Sequence, residues 1–209
     1  MHTYSSLIPA EDPAVRGMKN PLAVSAVTRQ LSDQVYSHAS EGRLVLTLGG
    51  DHSIAIGTVS GTAKAVKERL GKEIGLIWVD AHADINTPES SDSGNVHGMP
   101  VAFLAGLARE ERVDVFGWLN EGTEGAGKGR VNVKNIVYIG LRDVDKGEKE
   151  ILRREGIKAF SMHDIDKCVP LPFSVRWGSI SWLLSQDLPF KRFHNSSLTS
   201  RLCSWTDTA

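Results

Sequence analysis

The sequence predicts an α/β protein with a mainly parallel sheet, on three observations. Short apolar runs rich in β-branched residues, Arg43 to Leu48, Ile74 to Val79, Asn135 to Leu141 and Ile157 to Phe160, alternate with longer stretches of helical period. Ile74 to Val79 is apolar without alternation, the pattern of a strand buried on both faces of a parallel sheet. Charged residues gather just after several of these runs, at the strand ends where open α/β sheets place their ligands.

Residues 1–19 show no period and contain Pro9, Asp12, Pro13 and Gly17, which reads as an irregular leader. Asn20 and Pro21 start a helix, a capping side chain followed by a proline where its missing N–H costs nothing. Val24, Val27, Leu31 and Val35 form its apolar stripe, and Gly42 is placed to end it in a left-handed conformation. After the strand Arg43 to Leu48, Gly49-Gly50-Asp51-His52-Ser53 makes a tight turn in which Ser53 caps a second helix. That helix buries Val59, Ala63, Val66 and Leu70 and stops at Gly71. Val101 to Ala108 reads as an apolar helix. Glu121 to Arg130 carries glycine and lysine at phosphate-loop spacing, but Gly129 stands where a magnesium-binding hydroxyl belongs and no strand precedes it, so it reads as a surface loop.

Asn135 to Leu141 is a strand, 147–155 a helix closed by Gly156, and Ile157 to Phe160 a short strand. Ser161 and Asp164 form a helix cap, which accounts for the run through His163 and Asp166 without a ligand role. From Cys168 to Ala209 the 42 residues hold eight serines and three of the five tryptophans, but only Asp187 and Asp207 as acids; no period persists, and a divergent, poorly ordered tail is expected. The expected organisation is a leader over 1–19, an α/β unit over 20–167 and a tail over 168–209.

A length of 209 residues, 41% hydrophobic and 23% charged, fits one globular domain. A net charge of −1 offers no basic face to a polyanion. No apolar run approaches a bilayer span, and the first residues lack the ordered regions of a signal peptide. A cytoplasmic protein without nucleic-acid or membrane partners is therefore expected. Cys168 and Cys203 make no metal-ligand spacing, and a disulfide is not expected in that compartment.

The chemistry sits between Ile74 and Pro100. Asp80, His82 and Asp84 alternate with two alanines, and in extended chain positions i, i+2 and i+4 project to one side. His52 ends the preceding strand and faces them across the sheet top. Two imidazoles and two carboxylates form an oxygen-rich set that suits Mn²⁺ or another hard divalent ion better than a structural zinc. Water on such an ion loses a proton near neutral pH, so hydrolysis is the reaction class, and a carboxylate between two ions could bridge them.

GGDHS, WVDAHADINTP, SGNVHGMPVAFL and GLRDVDKGE, in that order and spacing over about residues 20–167, resemble the arginases among the manganese ureohydrolases. The resemblance implies a doubly wound, mainly parallel α/β fold, incomplete at both ends, a binuclear Mn²⁺ site, and hydrolysis of L-arginine to L-ornithine and urea. It implies that His52, Asp80 and Asp84 hold one manganese and that Asp80, as the bridge, and His82 hold the other. It also implies that Asp84 hydrogen-bonds the nucleophile, and proton transfer to the leaving amine suits His97. Asn86 and Ser93 resemble contacts to the substrate α-carboxylate, Asp145 the contact to its α-amino group, and Glu148 a support on that side. The related agmatinases act on a substrate without the carboxylate, so NTP and SGN favour arginase.

The sequence also departs from the family. The family's second Asp-x-Asp ligand pair has no counterpart after Lys167, and the family's first strand and helix are missing before residue 20. The expectation is at most one weakly held Mn²⁺, weak or absent arginine hydrolysis, and weakened homo-oligomer contacts. The alternative is a catalytically inactive arginase-like protein that acts through contacts with full-length subunits.

Overall fold

The computed structural model describes residues 4–120 and 129–168. The loop expected over 121–128 and the tail beyond 168, with Trp177, Trp182, Trp205 and Cys203, lie outside the described residues. Three β-rich runs pair into a parallel sheet of order β1-β2-β3, comprising β1 (Leu76–Val79), β2 (Ile136–Leu141) and β3 (Lys158–Ser161). Leu76 stands opposite Ile136 and Val79 opposite Ile139, and β2 continues the register against β3. Leu76, Trp78, Ile136 and Tyr138 are buried, with Tyr138 on the central strand fully enclosed.

Two sequence expectations about the strands are corrected. β1 is not covered on both faces: Ile77 is 39% exposed, and no described element closes over it. Arg43 to Leu48 is not a strand among the described residues, and Leu44, Leu46 and Leu48 stand exposed. A strand is stable only when its backbone pairs, and no described segment supplies that partner.

Helix α1 (Pro21–Ser40) begins at the expected proline, but Asn20 is left-handed and makes no capping hydrogen bond. Asp12 from the leader caps the helix instead, its carboxylate accepting from the Leu22 and Ala23 amides at 3.0 and 2.8 Å. The leader is irregular yet anchored, because Met18 is fully buried. The buried face of α1 is Ser25, Thr28, Ser32 and Val35, whereas Val24, Val27 and Leu31 are only half-buried.

Helix α2 (Ile54–Leu70) explains that displacement. It turns Gly57 and Gly61 onto α1, so closely that a Cβ at Gly57 would lie 2.5 Å from the Thr28 carbonyl oxygen and one at Gly61 2.4 Å from that of Ser32. Small residues let two backbones approach, and Ser60 Oγ donates to Ser32 Oγ at 2.9 Å across the contact. Val59 and Ala63 are buried as expected, Val66 is half-buried, and Leu70 is exposed at the far end.

The remaining helices are short. Pro100–Leu104 (α3) is fully buried and shorter than the expected 101–108 run. Lys146–Glu155 (α4) has a complete capping box, with Asp145 as cap and Glu148 as its reciprocal partner, and stops at Gly156 with φ 64°. Met162–Cys168 (α5) starts from the Ser161–Asp164 cap, where Asp164 accepts from the Ser161 amide and hydroxyl at 2.8 and 2.6 Å. No described helix is long and apolar enough to cross a membrane.

Because the α1–α2 contact has no room for a methyl group, Gly61→Ala should destabilise the chain by about 1–3 kcal/mol, the usual range for overpacking. Urea denaturation of the two proteins measures it; an unchanged midpoint would mean that the helices separate without cost.

Candidate metal centre

Sheet pairing outlasts the strands at their C-terminal ends. The Asp80 amide donates to the Ile139 carbonyl at 3.0 Å, and the Ala81 carbonyl accepts from the Arg142 and Asp143 amides, both at 3.0 Å. Gly140, with φ 90°, sits where a Cβ would be 3.4 Å from the Asp80 carbonyl oxygen, and the β2–β3 register shifts at that point. The segments carrying Asp80–Asn86 and Asp143–Glu148 are therefore locked side by side.

Beyond Asp80 the chain does not stay extended as expected. Asp84 has φ 49°, left-handed for a residue with a side chain, a strain of roughly 1–3 kcal/mol that persists only where surroundings over-determine it. Asp84 comes back to Asp80, while His82, on the bend straight after β1 where its amide donates to Asp80 Oδ1 at 3.1 Å, points outward. His52, Asp80 and Asp84 gather with one ligand atom each within 4.8 Å of one another. The His82 side chain is 54% exposed, with Nδ1 at 3.7 Å from Asp80 Oδ1 and Nε2 at 3.5 Å from Asp143 Oδ2. Asp51 does not join the cluster: it is exposed and accepts from the Ser53 amide at 2.9 Å and from the Ser53 hydroxyl, so Asp51, not Ser53, caps the start of α2.

Two buried carboxylates face one imidazole nitrogen. His52 Nδ1 lies 2.5 Å from Asp84 Oδ2 and 2.9 Å from Asp80 Oδ2. One N–H serves Asp84 and leaves Asp80 Oδ2, fully buried, without a hydrogen bond. The His52 pKa is pushed up to about 10 by its contacts to Asp80 and then Asp84, against the opposing effect of burial. Burial tends to raise Asp80, but His52 and the His82 amide outweigh it and hold Asp80 below its ordinary value. At Asp84 burial wins and the pKa rises. An orphaned buried carboxylate oxygen beside a second carboxylate and an imidazole is a set of hard donors short of positive charge, which a divalent cation fits. Trp78 walls the cluster, its ring meeting His52 edge-on at 5.8 Å.

Three further predicted residues form a second group. Asn86 is buried, donates from Nδ2 to Asp145 Oδ2 at 2.6 Å, and accepts from Ser90 Oγ at 2.7 Å. Asp145 accepts from the Glu148 amide at 2.8 Å. Glu148 is buried, accepts from the Ile85 and Asp145 amides at 3.3 and 3.2 Å, and has its pKa raised to about 7, chiefly by burial. Ser93 is exposed and accepts from the Asn95 amide at 3.2 Å. His97 is exposed on a 3-10 turn whose Gly98 carbonyl accepts from the Asn86 amide. Sequence reasoning missed Asp143, Trp78 and Tyr138. Asp143 was legible as a charge at a strand end; nothing marked the other two within apolar runs.

The Arginase family model matches residues 6–170. The chain belongs to the arginase family. It is 67% identical to the arginase of Neurospora crassa over 167 residues, covering 80% of this chain and 45% of that protein. The crystal structure of Bacillus subtilis arginase superposes with a TM-score of 0.63 at 40% identity, covering 77% of this chain and 50% of that one. Entamoeba histolytica arginase, solved in complex with L-ornithine, gives a TM-score of 0.61 at 32% identity, covering 75% and 50%. The chain thus spans about half the length of the arginases it matches. Its partial α/β fold is that of the family.

The raised His52 pKa carries a stability signature in the metal-free chain. The folded value lies above the ordinary 6.5, so the stabilisation is complete below about pH 6.5 and is lost as pH rises through about 10. The stability advantage of the wild-type chain over His52→Gln should shrink across that window in denaturant titrations; a constant difference would contradict it.

Proposed function

We propose that this chain carries the amidine-hydrolase site of the arginases and hydrolyses L-arginine to L-ornithine and urea weakly at most, in the cytoplasm. The observation that carries the reading is Asp80: Oδ2 faces the His52–Asp84 side without a hydrogen bond, while Oδ1 faces His82. A carboxylate so divided suits a bridging role, with His52, Asp80 and Asp84 holding one manganese and His82 with Asp80 part of a second site. When bound, manganese would act as a Lewis acid that makes water acidic enough to supply the nucleophile near neutral pH.

The chain's own residues then divide the work. Asp84 accepts a hydrogen bond from the attacking nucleophile. His97 delivers a proton to the departing amine and needs no bond to metal. Asn86 keeps one Nδ2–H beyond its bond to Asp145, and with Ser93 it receives the α-carboxylate. Asp145, exposed at the α4 N-terminus, receives the α-amino group, and Glu148 supports that side. That the Entamoeba relative was solved in complex with L-ornithine supports an amino-acid ligand for this chain.

A second reading, a non-catalytic chain that contacts longer arginase subunits, is favoured by the exposed row Leu44, Leu46 and Leu48. Urea release with Mn²⁺ supports the first reading; its absence, with co-purification of a full-length arginase, supports the second.

The second site has only His82 and the shared Asp80, so metal analysis after dialysis should find at most one Mn²⁺ per chain. Two retained ions would mean that ligands come from elsewhere. His97→Ala should leave metal content unchanged and lower turnover by about 10²-fold or more; lost metal would make His97 a ligand.

A further inference from the structure

We propose that Tyr138 is a positioning residue of the metal centre: its buried hydroxyl, with Glu148 beyond it, holds the Ala83–Ile85 backbone in the left-handed turn that aims Asp84 at His52. Tyr138 is enclosed at the middle of the central strand, between Trp78 of β1 and Ala159 of β3 in register. A phenylalanine would fill that space equally well. The hydroxyl instead reaches past the strand end and donates to the Ala83 carbonyl at 2.7 Å.

Each residue of the turn has its own restraint. The Ala83 carbonyl takes the Tyr138 hydroxyl, the Asp84 carbonyl accepts from the Val101 amide at 3.0 Å, the Ile85 amide donates to Glu148 Oε1 at 3.3 Å, and the Asn86 amide donates to the Gly98 carbonyl at 3.1 Å. Ala83 and Ile85 are fully buried, so water cannot replace a lost partner. All four restraints are backbone carbonyls or amides meeting a group from another segment, and Tyr138 is the one whose partner group comes from the sheet. It therefore transmits the rigidity of β2 to the strained residue at position 84.

The test compares the full metal-free chain with Tyr138→Phe by amide hydrogen exchange. Exchange at residues 84–86 should accelerate by about tenfold while β1 and β2 remain protected. Val35→Ala, a core change on α1, should loosen protection without that local pattern. Unchanged exchange at 84–86, or acceleration spread evenly through the sheet, overturns the proposal. Glu148→Ala should reproduce the local effect and Glu148→Gln, which keeps an acceptor for the Ile85 amide, should largely rescue it; failure of both arms removes Glu148 from the role.

The metal arm rests on the proposed manganese reading. Titration with Mn²⁺ should show affinity about tenfold weaker in Tyr138→Phe, the scale of a lost group behind a ligand. A loosened turn with equal affinity overturns the link to Asp84. If neither protein binds Mn²⁺, the manganese reading fails and exchange alone decides whether Tyr138 holds the turn.

Discussion

Parallel pairing between β1 and β2, carried one step beyond both strands, is the constraint on which the rest depends. The Ala81 carbonyl accepts two successive amides from the β2 side, so the two chains leave the sheet together. Side chains then continue what the backbone began: His82 reaches Asp143, Asn86 reaches Asp145, and the Ile85 amide reaches Glu148. The metal-side and substrate-side groups are built on one doubled segment, so neither can shift without the other. The capping box at α4 belongs to the same construction, since Asp145 and Glu148 both satisfy the helix end and tie it to the loop after β1.

His52 arrives by a separate route. It precedes α2 directly, and its carbonyl accepts from the Ala55 amide in the first turn, so its position follows from where that helix lies. The helix is set by the glycine and serine contact with α1, which brings the two backbones nearer than larger side chains would allow. A packing feature with no polar function of its own thus decides how far an imidazole stands from two carboxylates.

In the metal-free chain the proton on His52 is the cation that the carboxylates hold. It serves Asp84 and leaves Asp80 Oδ2 without a hydrogen bond, which one proton on one nitrogen cannot avoid. Ligation requires the neutral imidazole, so cation and proton compete for the same place; His52 helps hold Asp80 below its ordinary value, whereas at Asp84 burial outweighs the same contact.

The sequence by itself determined what local chemistry controls. The parallel strands within Ile74 to Val79 and Asn135 to Leu141, the helix starting at Pro21 and the one over 147–155, the stops at Gly71 and Gly156, and His52, Asp80 and Asp84 as members of one group were legible from period, capping and charge placement. Tertiary structure decided the rest, because each case turns on a partner distant in the chain. Arg43 to Leu48 has strand composition but no described pairing strand, Asp12 displaced Asn20 as the cap, and close helix packing buried Thr28 and Ser32 beside Val35 while Val24, Val27 and Leu31 stayed half-buried. His82 left the line of Asp80 and Asp84 because the chain bends straight after β1, with the His82 amide donating to Asp80 Oδ1, and the left-handed residue 84 that follows is held by bonds from β2, α3 and α4 that no local pattern announces.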